Sequence, residues 1–278
     1  MNDNMKLRTA IVTGASGGIG SATVIDLAKE EFQVIAAIRD LEKGNKLKKE
    51  LEVLNLSHLV KFEQLDVTDE LSIQSFKEKL HSYESIDVLI NNAGRYVAGF
   101  AEEVPMSRYR DQFETNVFGL IAVTQAVIPF MRKQKGGKII NISSIAGVMA
   151  FPSMAAYVTS KYAVEGFSES LRLELKPFDI DVILVEPGPY DTGIVNNMLD
   201  MDTGEDSPYL TVKKKQIENF SNMSLGNPEE VAQKISSIIK LNDPSLRYPI
   251  GKGIQQQINA KRDTPWLNWE KKLLGNTD

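Results

Sequence analysis

Tyr157 and Lys161 stand at the two ends of Tyr157-Val158-Thr159-Ser160-Lys161, with Ser144 upstream of them. Ala163, Val164, Phe167, Leu171 and Leu175 follow at helical spacing, so the run predicts a helix that carries Tyr157 and Lys161 one turn apart on one face. A phenol beside an ammonium has a chemical use. An unperturbed tyrosine, with a pKa of ~10, is too weak an acid to exchange protons at neutral pH. An ammonium about 4 Å away at an effective dielectric of ~20 favours the phenolate by roughly 4 kcal/mol, about three pKa units. The pair therefore predicts a general acid/base if the rest of the chain supplies a reaction. Taken alone, the spacing also fits a boundary tyrosine and a solvated lysine.

The elements around the pair supply the setting. Thr9-Ala10-Ile11-Val12 is a short apolar run, followed by Thr13-Gly14-Ala15-Ser16-Gly17-Gly18-Ile19-Gly20 and then by helical spacing through Ala22, Ile25, Leu27 and Ala28. Strand, glycine loop and helix in that order predict a dinucleotide site, because the glycines let the backbone approach a pyrophosphate and the helix N-terminus favours its charge. Gly14, Ser16, Gly18, Ile19 and Gly20 are its candidate contacts. A second strand, Phe32 to Ile38, ends in Arg39-Asp40. A ribose 2′-hydroxyl calls for an acid here and a 2′-phosphate for an arginine, so Arg39 favours NADP(H) over NAD(H), while Asp40 beside it keeps the acid reading open.

Leu41 to Leu54 reads as a lysine-rich helix and Leu59 to Leu65 as a third strand leading to Asp66-Val67. Asp66 fits either an acceptor for an adenine amino group or a cap for a helix over Glu70 to Leu80. A fourth strand, Ile86 to Ile90, breaks at Asn91-Asn92-Ala93-Gly94, where small residues admit a ribose and the amides can hold neighbouring loops. Met106 to Lys135 reads as mostly helical. Asn116 is a poor helix former on or beside its apolar face, which predicts a site role or a helix irregularity. Lys138 to Ile142 is a fifth strand ending at Ser143-Ser144, and Asp181 to Val185 a sixth ending at Glu186-Pro187-Gly188-Pro189-Tyr190-Asp191-Thr192.

Gly14, Arg39, Asp66, Asn91, Ser144 and Pro187 thus each fall at or just past the C-terminal end of a predicted strand, which is the ligand crevice of an open parallel sheet. Residues 193–226 lack strong periodicity and read as a substrate lid. Asn227-Pro228-Glu229-Glu230 opens a helix with Asn227 as its cap, and Tyr248-Pro249-Ile250 fits a last edge strand. Trp266 and Trp269 in the tail read as packing residues on the domain or a partner subunit. Residues 1–6 are expected to be disordered, with a single domain over 7–278.

Composition narrows the function. The formal charge of -5 and pI near 5.3 argue against a nucleic-acid surface. With no cysteine, and with only His58 and His81 as histidines, disulfides, thiol nucleophiles and Cys/His metal sites are excluded and a Ser-His-Asp triad has no support. Met1 to Thr9 has no apolar core, and no apolar run reaches the ~20 residues of a membrane span, so a cytoplasmic protein is expected.

Thr13-Gly14-x-x-x-Gly18-x-Gly20, Asn91-Asn92-Ala93-Gly94, Asn116, Ser144, Tyr157-x-x-x-Lys161 and Pro187-Gly188 together resemble the short-chain dehydrogenase/reductase family, over roughly residues 7–252. The glycine spacing is similar to that of the short, single-domain branch. The resemblance implies a doubly wound, mainly parallel, seven-stranded Rossmann-type α/β sheet in the order 3-2-1-4-5-6-7. It implies Tyr157 as general acid/base, Ser144 on the substrate oxygen, Lys161 on the tyrosine and the nicotinamide ribose, and Asn116 supporting a proton-relay water. It further implies Arg39 as an NADP determinant, Asp66 and Val67 at the adenine, Asn92, Ala93 and Gly94 at its ribose, and Pro187, Gly188 and Thr192 at the nicotinamide.

No metal is needed, because hydride moves between the nicotinamide and a carbon of a secondary alcohol or ketone while Tyr157 moves the proton. Met149, Phe151 and Met154, with Tyr96 and Tyr190 as candidate substrate contacts, suggest a bulky or lipophilic small molecule. The family's habit of pairing through helices like 106–135 and 157–175 implies a homodimer or homotetramer. The competing reading is a nucleotide-sensing regulator of the same fold without chemistry; such proteins typically lack the tyrosine, lysine or serine, and all three are present here.

Overall fold

The computed structural model describes residues 7–193, 204 and 206–274. The expected disorder of residues 1–6 lies outside that set, as do residues 194–203 of the expected lid, with Met198, Leu199 and Met201.

Seven parallel strands form one sheet in the order β3-β2-β1-β4-β5-β6-β7. They are β1 (Thr9–Thr13), β2 (Gln33–Ile38), β3 (Val60–Gln64), β4 (Val88–Asn91), β5 (Gly137–Ile142), β6 (Ile180–Pro187) and β7 (Arg247–Ile250). Their near-continuous apolar runs follow from burial on both faces, as a parallel sheet covered by helices requires. Alternation along the strands sends Ala10, Val12, Val34, Ala36, Ile90, Ile140 and Ile183 to one core, and Ile11, Ile35, Leu89, Ile139 and Val182 to the other. The first core is closed by helices α1 (Gly18–Lys29) and α2 (Asn45–Val53), and by a later helix over Pro228–Ile239. The second is closed by α3 (Glu70–Leu80) and by two long helices that flank β5.

The first of those long helices is a single helical run with three parts. It comprises α4 (Met106–Phe113), a π-helical turn (Glu114–Gly119) and α5 (Leu120–Gln134). The irregularity expected around Asn116 is this π turn, which inserts Asn116 as a buried residue. By length and composition alone, Met106–Gln134 is apolar enough to cross a membrane, which the sequence reading did not anticipate. Its Leu120, Val123, Val127 and Met131 are instead buried, most of them in the core of the sheet, the place of a core helix. The second long helix, α6 (Ala155–Leu175), carries Tyr157 and Lys161.

Some boundaries shift. Leu41 to Leu54 is split into a 3-10 turn (Leu41–Gly44) and α2, because Asp40 caps the turn by accepting from the Glu42 N–H at 3.0 Å. The cap of α3 is Asp69, which accepts from the Leu71 N–H at 3.1 Å; Asp66 caps nothing there and folds back on Thr68. Asn227 does cap its helix, accepting from the Glu229 N–H at 3.1 Å. Within the expected lid, α7 (Leu210–Ser221) is helical, and it precedes α8 (Pro228–Ile239). After β7 come α9 (Ile254–Asp263) and α10 (Trp266–Leu274). Trp269 is buried under the site-side loop with Ile145, Met149 and Ile254, whereas Trp266 is exposed.

The glycine loop after β1 is held by its neighbour. Thr13 Oγ1 accepts from the Asn92 and Ala93 N–H groups, both at 3.0 Å, and Asn92 Nδ2 donates to the Thr13 and Gly14 carbonyls. A Cβ on Gly20 would stand 2.4 Å from the Gly14 oxygen and 2.5 Å from Asn92 Nδ2, so only glycine lets α1 begin this close to the loop. Gly20→Ala is expected to cost ~1–3 kcal/mol of stability as an overpacking change, measured as a lower urea midpoint with unchanged slope. An unshifted midpoint would show that the loop yields freely.

Candidate active site

A cleft of about 990 Å³ runs along the C-terminal ends of the strands. It is lined by Gly14, Ser16, Gly18, Ile19, Arg39, Asp66, Val67, Asn92, Ala93, Gly94, Asn116, Ser144, Tyr157, Lys161, Pro187, Gly188 and Thr192, so the residues singled out from sequence converge on one place. Gly20 does not line it, for the packing reason given above. Tyr96 and Tyr190 line it too.

The dinucleotide end is chemically suited to an anion. Gly17 is the N-cap of α1, with no side-chain cap among the described residues and no acidic residue in the first turn, and Gly17, Gly18 and Ile19 line the cleft, so no carboxylate of that turn competes with an anion there. At the end of β2, Arg39 and Lys43 both line the cleft. Asp40 lines it as well, but its carboxylate is engaged with the Glu42 N–H. Lys43 was missed from sequence because only the 3-10 turn brings it back towards Arg39.

At the other end, Ser144 is the residue after Ser143 at the close of β5, and its Oγ accepts from the Ala146 N–H at 3.1 Å. Its hydroxyl also lies close enough to the Tyr157 phenol to favour the phenolate. Lys161 is buried on α6, and its Nζ donates to the Ile142 carbonyl at 2.7 Å. Tyr157 and Lys161 share a helix face as expected, with Nζ 5.7 Å from the phenol ring centroid.

The electrical expectation needs correction. Burial pushes Tyr157 up to about 12, opposed by the neighbouring Ser144 hydroxyl. Burial likewise pulls Lys161 down to about 8, against the pull of Glu165. The reason is geometric: the ammonium is turned to the end of β5, and desolvation disfavours the charged form of both groups.

Asn116 is fully engaged as a strut. Its Oδ1 accepts from the Arg95 N–H at 2.8 Å, and its Nδ2 donates to the Arg95 carbonyl at 3.0 Å and to Ser160 Oγ at 3.2 Å. This ties the loop after β4 to α6, one residue from Lys161. Tyr190 turns its hydroxyl to Glu230 at 3.2 Å and packs against Gly226, so it offers ring surface rather than a donor to a substrate.

Tyr96 is tilted against Tyr157 with centroids 4.8 Å apart, and its buried hydroxyl has no hydrogen-bond partner among the described residues. Phe151, Met154 and Phe220 complete an apolar wall over the phenol. Met149, expected here, is instead core under Trp269. Ile254, Gln257 and Leu273 from the tail also line the cleft. Their signal was the helical spacing of Ile254 with Ile258 and of Trp269 with Leu273.

The start of α7 is pinned over this end. Tyr209 stacks on Phe100 at 4.2 Å and donates to Glu102.

Comparisons agree with the geometry. Residues 8–203 match the family model described as short chain dehydrogenase. An uncharacterized oxidoreductase, YusZ, of Bacillus subtilis is 45% identical over 276 residues, covering 97% of this chain and 98% of that one. A 3-ketodihydrosphingosine reductase of Bacteroides thetaiotaomicron is 34% identical, covering 95% and 94%. The crystal structure of a short-chain dehydrogenase from Streptomyces avermitilis superposes with a TM-score of 0.82 at 30% identity, covering 98% and 100%. Solved structures of this fold hold NADP in some cases and NAD in others. The sequence, the sheet order and the cleft lead to one assignment: this chain is an oxidoreductase of the short-chain dehydrogenase/reductase family.

Proposed function

We propose that the protein is an NADP(H)-dependent oxidoreductase that interconverts a bulky or lipophilic ketone and its secondary alcohol, with Tyr157 as the general acid/base. The observation that carries this reading is the pairing of the Ser144 and Tyr157 hydroxyls beneath an apolar wall of Tyr96, Phe151, Met154 and Phe220. When bound, the nicotinamide supplies or accepts the hydride. The chain's own residues handle the oxygen. In reduction, Ser144 donates to the carbonyl oxygen and Tyr157 delivers its proton as charge develops there.

Arg39 and Lys43 at the end of β2, with Asp40 occupied by a backbone amide, support a 2′-phosphate over a bare ribose. The 3-keto group in the name of the Bacteroides relative supports a ketone substrate. The dinucleotide-binding domain spans residues 7–278 in this reading, with α7 and the segment around it as the lid over the substrate. Exposed Phe118 on the π turn, and Tyr162 and Leu173 on α6, support self-association through these helices, and light scattering would report a dimer or tetramer.

Two variants test the reading. Tyr157→Phe is expected to lower kcat by ~100- to 10,000-fold on any ketone that the protein reduces, with NADPH affinity by fluorescence titration unchanged. A Tyr157→Phe enzyme that keeps its turnover would remove the assigned acid. Arg39→Ala is expected to weaken NADPH binding by roughly tenfold, about 1.4 kcal/mol, and to leave NADH binding alone. Equal losses for both cofactors would overturn the NADP assignment.

A further inference from the structure

Behind Lys161, on the side away from the cleft, lies a group of charges that the reaction above does not use. α6 carries Glu165 one turn beyond Lys161 and Glu169 one turn further, β6 contributes Glu186 and the edge strand β7 contributes Arg247. Arg247 Nε is 2.9 Å from Glu165 Oε2 and 3.2 Å from Glu186 Oε1, and its Nη2 is 2.6 Å from Glu169 Oε1. Glu165 and Glu186 are only 5% and 1% exposed, so these are desolvated carboxyls rather than a surface ion-pair cluster. Ser143, just past the end of β5, faces Glu165, and Ser143 Oγ and Glu165 Oε1 are both buried without a hydrogen-bond partner among the described residues.

Space is reserved for this pair. A Cβ on Gly147 would stand 2.6 Å from Ser143 Oγ and 3.1 Å from Glu165 Oε1. The remaining titratable groups facing the cluster are Tyr157 and Tyr162, both on α6.

We propose that Glu165 is a positioning residue for Lys161: braced by Arg247, its carboxylate keeps the buried ammonium charged beside Tyr157. Glu169 keeps its contact with water, so the two buried carboxyls, Glu165 and Glu186, are the ones that share Arg247 in the interior. Burial raises both of these carboxyls: Glu165 against the pull of Ser143, Arg247 and Lys161, and Glu186, with Glu165 adding to the rise, up to about 7. Glu165 is the one group that raises the affinity of Lys161 for its proton, against burial that pulls it down to about 8. The sign follows directly. A lysine with a depressed pKa loses its charge as pH rises through that value, and removing Glu165 moves the loss to lower pH.

This rests on the reading of Tyr157 and Lys161 as the catalytic pair, so the test keeps the two apart. Protein labelled with 13C at lysine Cε, with Lys161 assigned through Lys161→Met, reports the protonation of that one residue without turnover. In the wild type the Lys161 signal is expected to titrate near 8. In Glu165→Gln the midpoint is expected to fall by about one unit, a tenfold loss of proton affinity. Glu165→Asp, which keeps the charge but withdraws it by one methylene, should show a smaller fall, and it serves if the glutamine variant does not fold. A midpoint unchanged in a folded Glu165→Gln or Glu165→Asp protein overturns the assignment of Glu165, even where Tyr157→Phe is inactive. An active Tyr157→Phe enzyme instead removes the catalytic reading on which the assignment stands.

Discussion

The hydrogen bond from Lys161 Nζ to the Ile142 carbonyl joins the two elements that make the site. It ties α6 to the last residue of β5, and Ser143 and Ser144 follow at once along the chain. With that tie made, the phenol of Tyr157, one turn earlier on the helix, meets the Ser144 hydroxyl. The tie also buries a cation in apolar surroundings, which is costly unless a counter-charge lies near. The acidic cluster behind α6 is in position to meet that cost, and it makes the edge strand β7 part of the site through Arg247.

A parallel sheet brings its loops to one edge but does not by itself fix their shapes. Here buried amides do that. Asn92 holds the glycine loop through Thr13 and Gly14, and Asn116 holds the loop after β4 against α6. Further down the same strand, Asn91 donates to Thr124 and Asn141, and Asn141 passes the chain on to Ser168 of α6. Each strut satisfies backbone or side-chain groups that would be costly to bury unpaired, so the polar interior stiffens the cleft wall.

Much of this was legible in the sequence because it depends on local period and local order. The glycine loop between strand and helix, the break at Asn91-Asn92-Ala93-Gly94 and the one-turn spacing of Tyr157 and Lys161 each dictate their own geometry. What was not legible depended on where side chains end in space. Spacing put the ammonium beside the phenol, but only the fold shows Nζ turned to Ile142, and burial acting against both charges. Asp66 was legible as a candidate cap, but Asp69 takes that place and Asp66 turns to Thr68. Tyr190 had the right chemistry for a substrate contact, but Glu230, forty residues on, takes its hydroxyl. The Glu165, Glu186 and Arg247 cluster draws on three separate elements, and no local pattern announces it.

The central claim is that desolvation lifts the Tyr157 phenol above the ordinary tyrosine range, in a floor shared with a buried lysine. Ultraviolet titration of phenolate in the wild type against Tyr157→Phe isolates that one hydroxyl among the eight tyrosines. The account predicts that no difference develops through the neutral range and that it emerges only towards about 12. A difference that titrates near neutrality in the free protein would contradict it.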